Sequence, residues 1–157
     1  MAGAQYETFR GIVCGVDCDL MGHMNTARYA AIFDAATWTF LRALGYQWRV
    51  DAQWGWADVK NTFEYLRELP VDSHYYVSSF VSRLGGASFT LIHELHRSDE
   101  SYLAARCEAI LVSFDRHARK SVKLTDEFRA RAWKVLRMPG SESEAQGGQS
   151  LGQATLG

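Results

Sequence analysis

The sequence predicts an α+β domain in which a curved antiparallel β-sheet wraps around one long central helix, with a short C-terminal helix added. Three observations lead there. Residues 26–44 contain no Gly or Pro and are uncharged around most of a helical circumference, the pattern of a buried helix. Residues 74–114 alternate with period two through three segments broken at Gly85-Gly86 and Ser98-Asp99-Glu100, the pattern of an antiparallel meander. A chain of 157 residues suits one domain, able to bury roughly 70% of its unfolded surface without metals or disulfides.

From Tyr6 to Val16 β-formers dominate and a first strand is expected, followed by a loop over Asp17–Asn25. The side chain of Asn25 is a good N-cap for the helix Thr26–Leu44, and Gly45 is a natural stop. Trp38, inside that helix, is expected in the core. Tyr46–Trp56 reads as a connection in which Trp48, Trp54 and Trp56 serve a pocket, an interface or loop packing. Strands are expected at Ala57–Glu68, closed by Pro70, then at His74–Leu84, Ala87–Arg97 and Ser101–Phe114, with a short edge strand near Ser121–Leu124. Thr125–Arg137 reads as a terminal helix with Asp126 and Glu127 suited to its N-terminus. The domain is expected to span 1–137, and the Gly-, Ser- and Gln-rich stretch 138–157 to be a disordered tail.

Composition removes several function classes. Lys and Arg number 17 against 18 Asp and Glu, and a net charge of −1 supplies no field to gather nucleic acid. Cys14, Cys18 and Cys107 are an odd set without CxxC spacing, so reduced thiols and a cytoplasmic setting are expected. No signal peptide is expected from the first residues, and no membrane span from any window. The five histidines lack ligand spacing, so no metal is expected; His93 and His96, three apart in a strand, face opposite sides.

The chemically informative stretch is Asp17-Cys18-Asp19-Leu20-Met21-Gly22-His23-Met24-Asn25-Thr26, which sets two carboxylates and a histidine just ahead of a buried helix. The unpaired amides of a helix N-terminus can stabilise an oxyanion, and a carboxylate beside them can attack a carbonyl or activate water. Gly22 allows close backbone approach. The same residue types also serve as plain caps and turn formers, and Asp17 is expected to be structural. A second cluster, Arg116, His117, Arg119 and Lys120, can bind phosphates or form an ordinary solvated turn.

Asp17-Cys18-Asp19, Gly22-His23-Met24-Asn25 and Ala27-Arg28-Tyr29 together resemble the opening of the 4-hydroxybenzoyl-CoA thioesterase-like hotdog proteins. Asn61–Leu66, Gly85–His93 and Ala104–Asp115 are similar to that family's later strands, in the correct order. The resemblance implies a hotdog fold, a homodimer or homotetramer with active sites between subunits, and hydrolysis of an acyl-CoA, with coenzyme A as part of the substrate and no other cofactor. It implies a catalytic role for Asp19 and, at Glu64, a carboxylate that some hotdog thioesterases use from the opposite subunit and others lack; His23 is expected to orient water or the leaving group beside them. It also implies substrate contacts at Gly22, Asn25, Thr26 (through its amide), Tyr29, Arg83 and Ser88. Only Arg83 precedes Gly85-Gly86, where the founding enzyme has a basic cluster. A hotdog hydratase or dehydratase pairing Asp19 with His23, and an acyl-CoA-binding module without turnover, are the competing readings.

Overall fold

The structure is a computed structural model that describes residues 6–136. The expected tail, 138–157, lies outside the described residues, as does the expected helix end at Arg137.

Helix α1 (Thr26–Ala43) is the axis of the fold. Asn25 opens it: its Oδ1 accepts from the amide of Ala27 at 2.9 Å. The helix ends in a Schellman-type turn, with the amide of Gly45 on the Arg42 carbonyl (2.9 Å) and that of Tyr46 on the Leu41 carbonyl (3.0 Å). Gly45 takes a φ of +92°, which a side chain would oppose. Replacing Asn25 by Ala is expected to cost about 1 kcal/mol, read as a lower melting temperature in thermal denaturation.

Among the described residues six strands form: β1 (Tyr6–Ile12), β2 (Trp54–Tyr65), β3 (His74–Leu84), β4 (Ser88–Arg97), β5 (Tyr102–Asp115) and β6 (Lys120–Ser121). They form one antiparallel sheet in the order β1-β3-β4-β5-β2, with β6 beside the end of β5. Every long ladder carries a register shift, and such bulges bend strands, so the sheet curves over α1. Helix α2 (Asp126–Trp133) is capped by Thr125, whose Oγ1 accepts from the Phe128 amide. Arg131 of α2 donates to the carbonyl of Leu44 at 3.1 Å, and Phe128 packs on Trp56 and Phe89, so α2 closes the sheet at the C-terminal end of α1.

The architecture is the expected one, with shifted limits. β1 stops at Ile12 because Val13 turns to the carbonyl of Ser73 and a 3-10 turn follows at Gly15–Asp17. β2 begins and ends three residues early; the amides of Leu66 and Arg67 both converge on the Ala104 carbonyl and end the ladder. α1 buries one stripe, including Tyr29, Ile32, Phe33, Ala36, Phe40 and Leu41, against the sheet. Its other face, with Ala30, Ala31 and Asp34, is exposed. Trp38 belongs to that face, 39% exposed, which corrects the expectation that it fills the core. Among the described residues no helix is long and apolar enough to cross a membrane.

A polar thread crosses the core. Thr37 Oγ1 lies 3.0 Å from the Phe33 carbonyl and 2.9 Å from His93 Nε2. His93 Nδ1 is 2.6 Å from Ser79 Oγ, which is 2.7 Å from Thr8 Oγ1. Thr37 has one proton and gives it to the Phe33 carbonyl, so it must accept from His93 Nε2–H. Burial keeps the imidazole neutral, so with Nε2–H donating to Thr37 its Nδ1 accepts from Ser79. Burial, complete at 0% exposure, pushes the His93 pKa down to about 3.

Candidate active site

The loop ahead of α1 is built by its own backbone. Cys18 and Met24 pair as an antiparallel bridge, and the amide of Asp19 donates to the His23 carbonyl at 2.8 Å. Gly22, at a φ of +80°, turns the chain between them. The Asp19 carboxylate closes the loop: Oδ1 accepts from the amides of Met21 (2.8 Å) and His23 (3.2 Å). Oδ2 takes no part in this turn. One oxygen thus fixes the side chain and the other is available for chemistry.

The loop is held to the helix start by Asp17. Its carbonyl accepts from the amide of Asn25 at 2.8 Å, and its Oδ1 lies 3.3 Å from Arg28 Nε, an ion pair without hydrogen-bond alignment. This is the structural role expected of Asp17. In the first turn the Ala27 amide is taken by the Asn25 side chain and the Arg28 amide by the Asn25 carbonyl. Among the described hydrogen bonds the Thr26 amide has no acceptor, and Thr26 is exposed. One donor at the positive end of an 18-residue helix is therefore open next to the Asp19 loop.

Around this pair, Tyr29 is buried and meets Tyr65 of β2 edge-on, ring centroids 5.3 Å apart. Burial raises both phenols above the ordinary tyrosine value, so they stay neutral. Burial, and then the charges of Asp19 and Asp17, also raise the Cys18 thiol, which removes it as a nucleophile. The imidazole of His23 turns away from Asp19: Nε2 lies 3.3 Å from Glu68 Oε2, and the backbone of His23 bridges to Pro70. The side-chain pair Asp19–His23 that a hydratase would use is not formed. Among the described residues no cluster of three or more His, Cys, Asp or Glu could hold a metal ion.

Glu64, Arg83 and Ser88 are not brought to this loop. Glu64 stands opposite Arg106, which stands opposite Glu94, which stands opposite Ser78; paired residues share a face. The neighbouring row, Phe63, Cys107, His93 and Ser79, is the one that meets α1, through Thr37 and Phe33. Glu64 therefore projects from the sheet surface opposite α1, 4.0 Å from Arg106 Nη1. Arg83 and Ser88 flank the β3–β4 turn, whereas the Asp19 loop packs near the other end of β3, through Pro70 and Val71. An 11-residue strand spans about 33 Å, so within one chain they cannot share a ligand's reacting centre with Asp19.

A family model described as the thioesterase-like superfamily matches residues 16–132. The chain belongs to the thioesterase-like superfamily. Solved structures agree on the fold. A hypothetical protein, SAV2348 of Staphylococcus aureus, in complex with CoA, is 18% identical, with 97% of this chain and 98% of that one covered and a TM-score of 0.80. YbaW, a probable thioesterase of Escherichia coli, is 22% identical over 84% of this chain and 100% of that one, with a TM-score of 0.73. Slr0204, a 1,4-dihydroxy-2-naphthoyl-CoA thioesterase of Synechocystis, is 13% identical over 83% and 96%, also at 0.73. No curated protein sequence matches the chain.

Within this thioesterase-like chain, two groups near the sheet's open edge escaped the sequence reading. Glu68 pairs with His23, and Asp58 faces α1, where Asp34 lies close enough to raise its carboxyl pKa after burial has done so. Asp58 lies on that face in step with Trp56, just ahead of the register shift between Asp58 and Lys60. On the N-terminal side of the shift the even-numbered Trp56 packs on buried Phe89; on the far side the odd-numbered Phe63 and Tyr65 meet α1. No residue type in the sequence marks that bulge. Glu68 carried a signal of sorts, being the last residue of the strand expected to be closed by Pro70; the observed strand stops three residues before it, at Tyr65.

Proposed function

We propose that the protein hydrolyses acyl-CoA thioesters to coenzyme A and a carboxylic acid, as a homodimer whose active sites lie between subunits. The observation that carries this is the Asp19 carboxylate, held by one oxygen beside the open amide of Thr26. The thioester carbonyl oxygen accepts from that amide, which stabilises the oxyanion as it forms. Asp19 takes a proton from water, the water oxygen bonds to the carbonyl carbon, the C–S bond breaks, and the proton passes to the departing sulfur. Asp19 can equally attack the carbonyl itself, giving an anhydride that water then opens. Gly22 and Asn25 shape the approach, and Tyr29 with Tyr65 forms an apolar, neutral wall.

The subunit arrangement is supported by β2. It is a 12-residue edge strand, exposed over most of its length, and an edge of that length invites pairing. Antiparallel pairing of two β2 edges brings the Trp54 end of one protomer to the Tyr65 end of the other, hence to the other's Asp19 loop. Both α1 helices then lie on one side of the joined sheet, and Glu64 on the other, so Glu64 has no step in this mechanism.

The deciding measurement is thiol release from aryl, short, medium and long acyl-CoAs. Turnover with at least one group is expected. Micromolar binding without thiol release from any of them would leave the binding module instead, and formation or loss of an acyl double bond would leave the hydratase.

A further inference from the structure

At the C-terminal end of α1 a cleft of about 710 Å³ opens between the helix, the Tyr46–Ala52 segment and the turn after β5. Its walls are rings: Trp38, Tyr46, Trp48, Trp56 and Phe114. Trp38 and Tyr46 pack together at 6.1 Å, and Trp48 stands 68% exposed beside them. The other prominent wall is made by the guanidinium groups of Arg116 and Arg119 and the imidazole of His117, and no Asp or Glu lines the cleft. Solvent-exposed indoles next to arginines contribute little to a core, and nothing in the Asp19 loop uses them.

These side chains are placed by the turn. Asp115 Oδ1 accepts from the amides of His117 and Ala118, both at 2.8 Å, while its Oδ2 accepts from Gln53. Arg116 Nη1 reaches the carbonyls of Val50 (3.2 Å) and Ala52 (3.1 Å), which ties the Trp48 segment to the turn. Arg119 adopts a φ of +55° and sets its guanidinium over the Phe114 ring at 5.2 Å. Among the described residues neither Arg119 nor His117 has a carboxylate within ion-pair distance.

We propose that this cleft binds the phosphorylated adenine nucleotide end of coenzyme A, with the base stacked on Trp48 and Trp38 and the phosphates on Arg119 and His117. Flat rings beside a fixed positive charge fit a base joined to phosphates, whereas an acyl group has no use for the cations. A cleft of this volume lies in the range of small-ligand sites. The inference rests on the acyl-CoA reading and on the pairing of β2 edges, which sets the cleft of one protomer, flanked by Trp54 and Trp56, toward the Asp19 loop of the other. The long pantetheine arm then bridges the two. The basic turn thus acquires a role that the region of Arg83 does not fill.

The test uses two measurements on the intact chain. Adenosine 3′,5′-bisphosphate is titrated against tryptophan fluorescence, and KM is measured for an acyl-CoA and for the matching S-acylpantetheine, which lacks the nucleotide. Saturable quenching is expected, at least tenfold weaker in Arg119→Glu and partly restored in Arg119→Lys, with a Trp48→Phe variant losing much of the amplitude. The ratio of the acyl-CoA KM to the acylpantetheine KM is expected to rise at least tenfold in Arg119→Glu. Quenching without turnover on any thioester would sink the hydrolase reading and leave the nucleotide site standing. Turnover with an unchanged KM ratio in a variant that melts like the parent would overturn the site. So would quenching by benzoate or phenylacetate and not by the nucleotide, which would make the cleft an acyl pocket.

Discussion

Asp19→Asn is expected to lower turnover of a good acyl-CoA substrate at least ~10²-fold, the usual scale for loss of a general base, with little change in melting temperature. The two halves of that expectation come from the two oxygens. Asn keeps an Oδ1 that can accept from the amides of Met21 and His23, so the loop is retained. It removes the carboxylate that takes the proton from water or attacks the carbonyl. Asp19→Ala removes both, and should add a stability loss of about 1 kcal/mol, the common net worth of a lost hydrogen bond, to the kinetic loss. Thiol release and thermal melting on the same preparations separate the effects. Near-parental turnover in the Asn variant would show that the helix-end amide works without this carboxylate. If turnover falls, a single turnover in ¹⁸O-water divides the mechanisms, because attack by Asp19 leaves heavy oxygen in its own carboxylate when the anhydride is opened there.

What could be read in the sequence was what local chemistry decides. Asn25 caps and Gly45 terminates α1 because each satisfies backbone groups within three residues of itself, and the structure places both where the composition does. The meander over β3, β4 and β5 was legible because a half-buried strand must alternate, and these strands lie in the middle of the sheet. β2 was less legible because it lies at an edge. Its burial does not alternate cleanly, so neither its ends nor its bulge leaves a trace in residue type. That bulge decides the fate of Glu64. Counting by twos from Trp56, which packs toward the core, reaches Glu64 on the α1 side; the extra residue between Asp58 and Lys60 turns it to the far side. Asp58, on the near side of the shift, keeps the core-facing orientation. Trp38 failed for a related reason. A helix rich in Ala and aromatics looks apolar all round, but a single sheet covers only one stripe of it, and which stripe depends on the partner surface rather than on the helix.

The second large effect is on stability in acid, and it originates in His93. Its pKa is about 3 in the folded chain against 6.5 when exposed, so the folded state binds fewer protons. A depressed histidine stabilises the fold fully above the unfolded pKa; as pH falls below 6.5 the unfolded chain takes up a proton that the folded one refuses. Stability should therefore decline by up to about 1.4 kcal/mol per pH unit between pH 6.5 and about 3 from this residue alone. Urea unfolding at a series of pH values measures the slope. His93→Leu removes the titration but strands Ser79 and Thr37, so it should be less stable than the parent at pH 7, by about 1–3 kcal/mol for a buried polar partner left unpaired. The parent's stability should fall towards that of the variant as pH is lowered, and the two curves should meet between about pH 4.4 and 5.8. Parallel curves would mean that the imidazole already carries a proton in the core. In that case Nδ1–H would donate to Ser79, Ser79 to Thr8 and Thr8 to the Val77 carbonyl at 3.3 Å, the reverse of the order that a neutral ring sets.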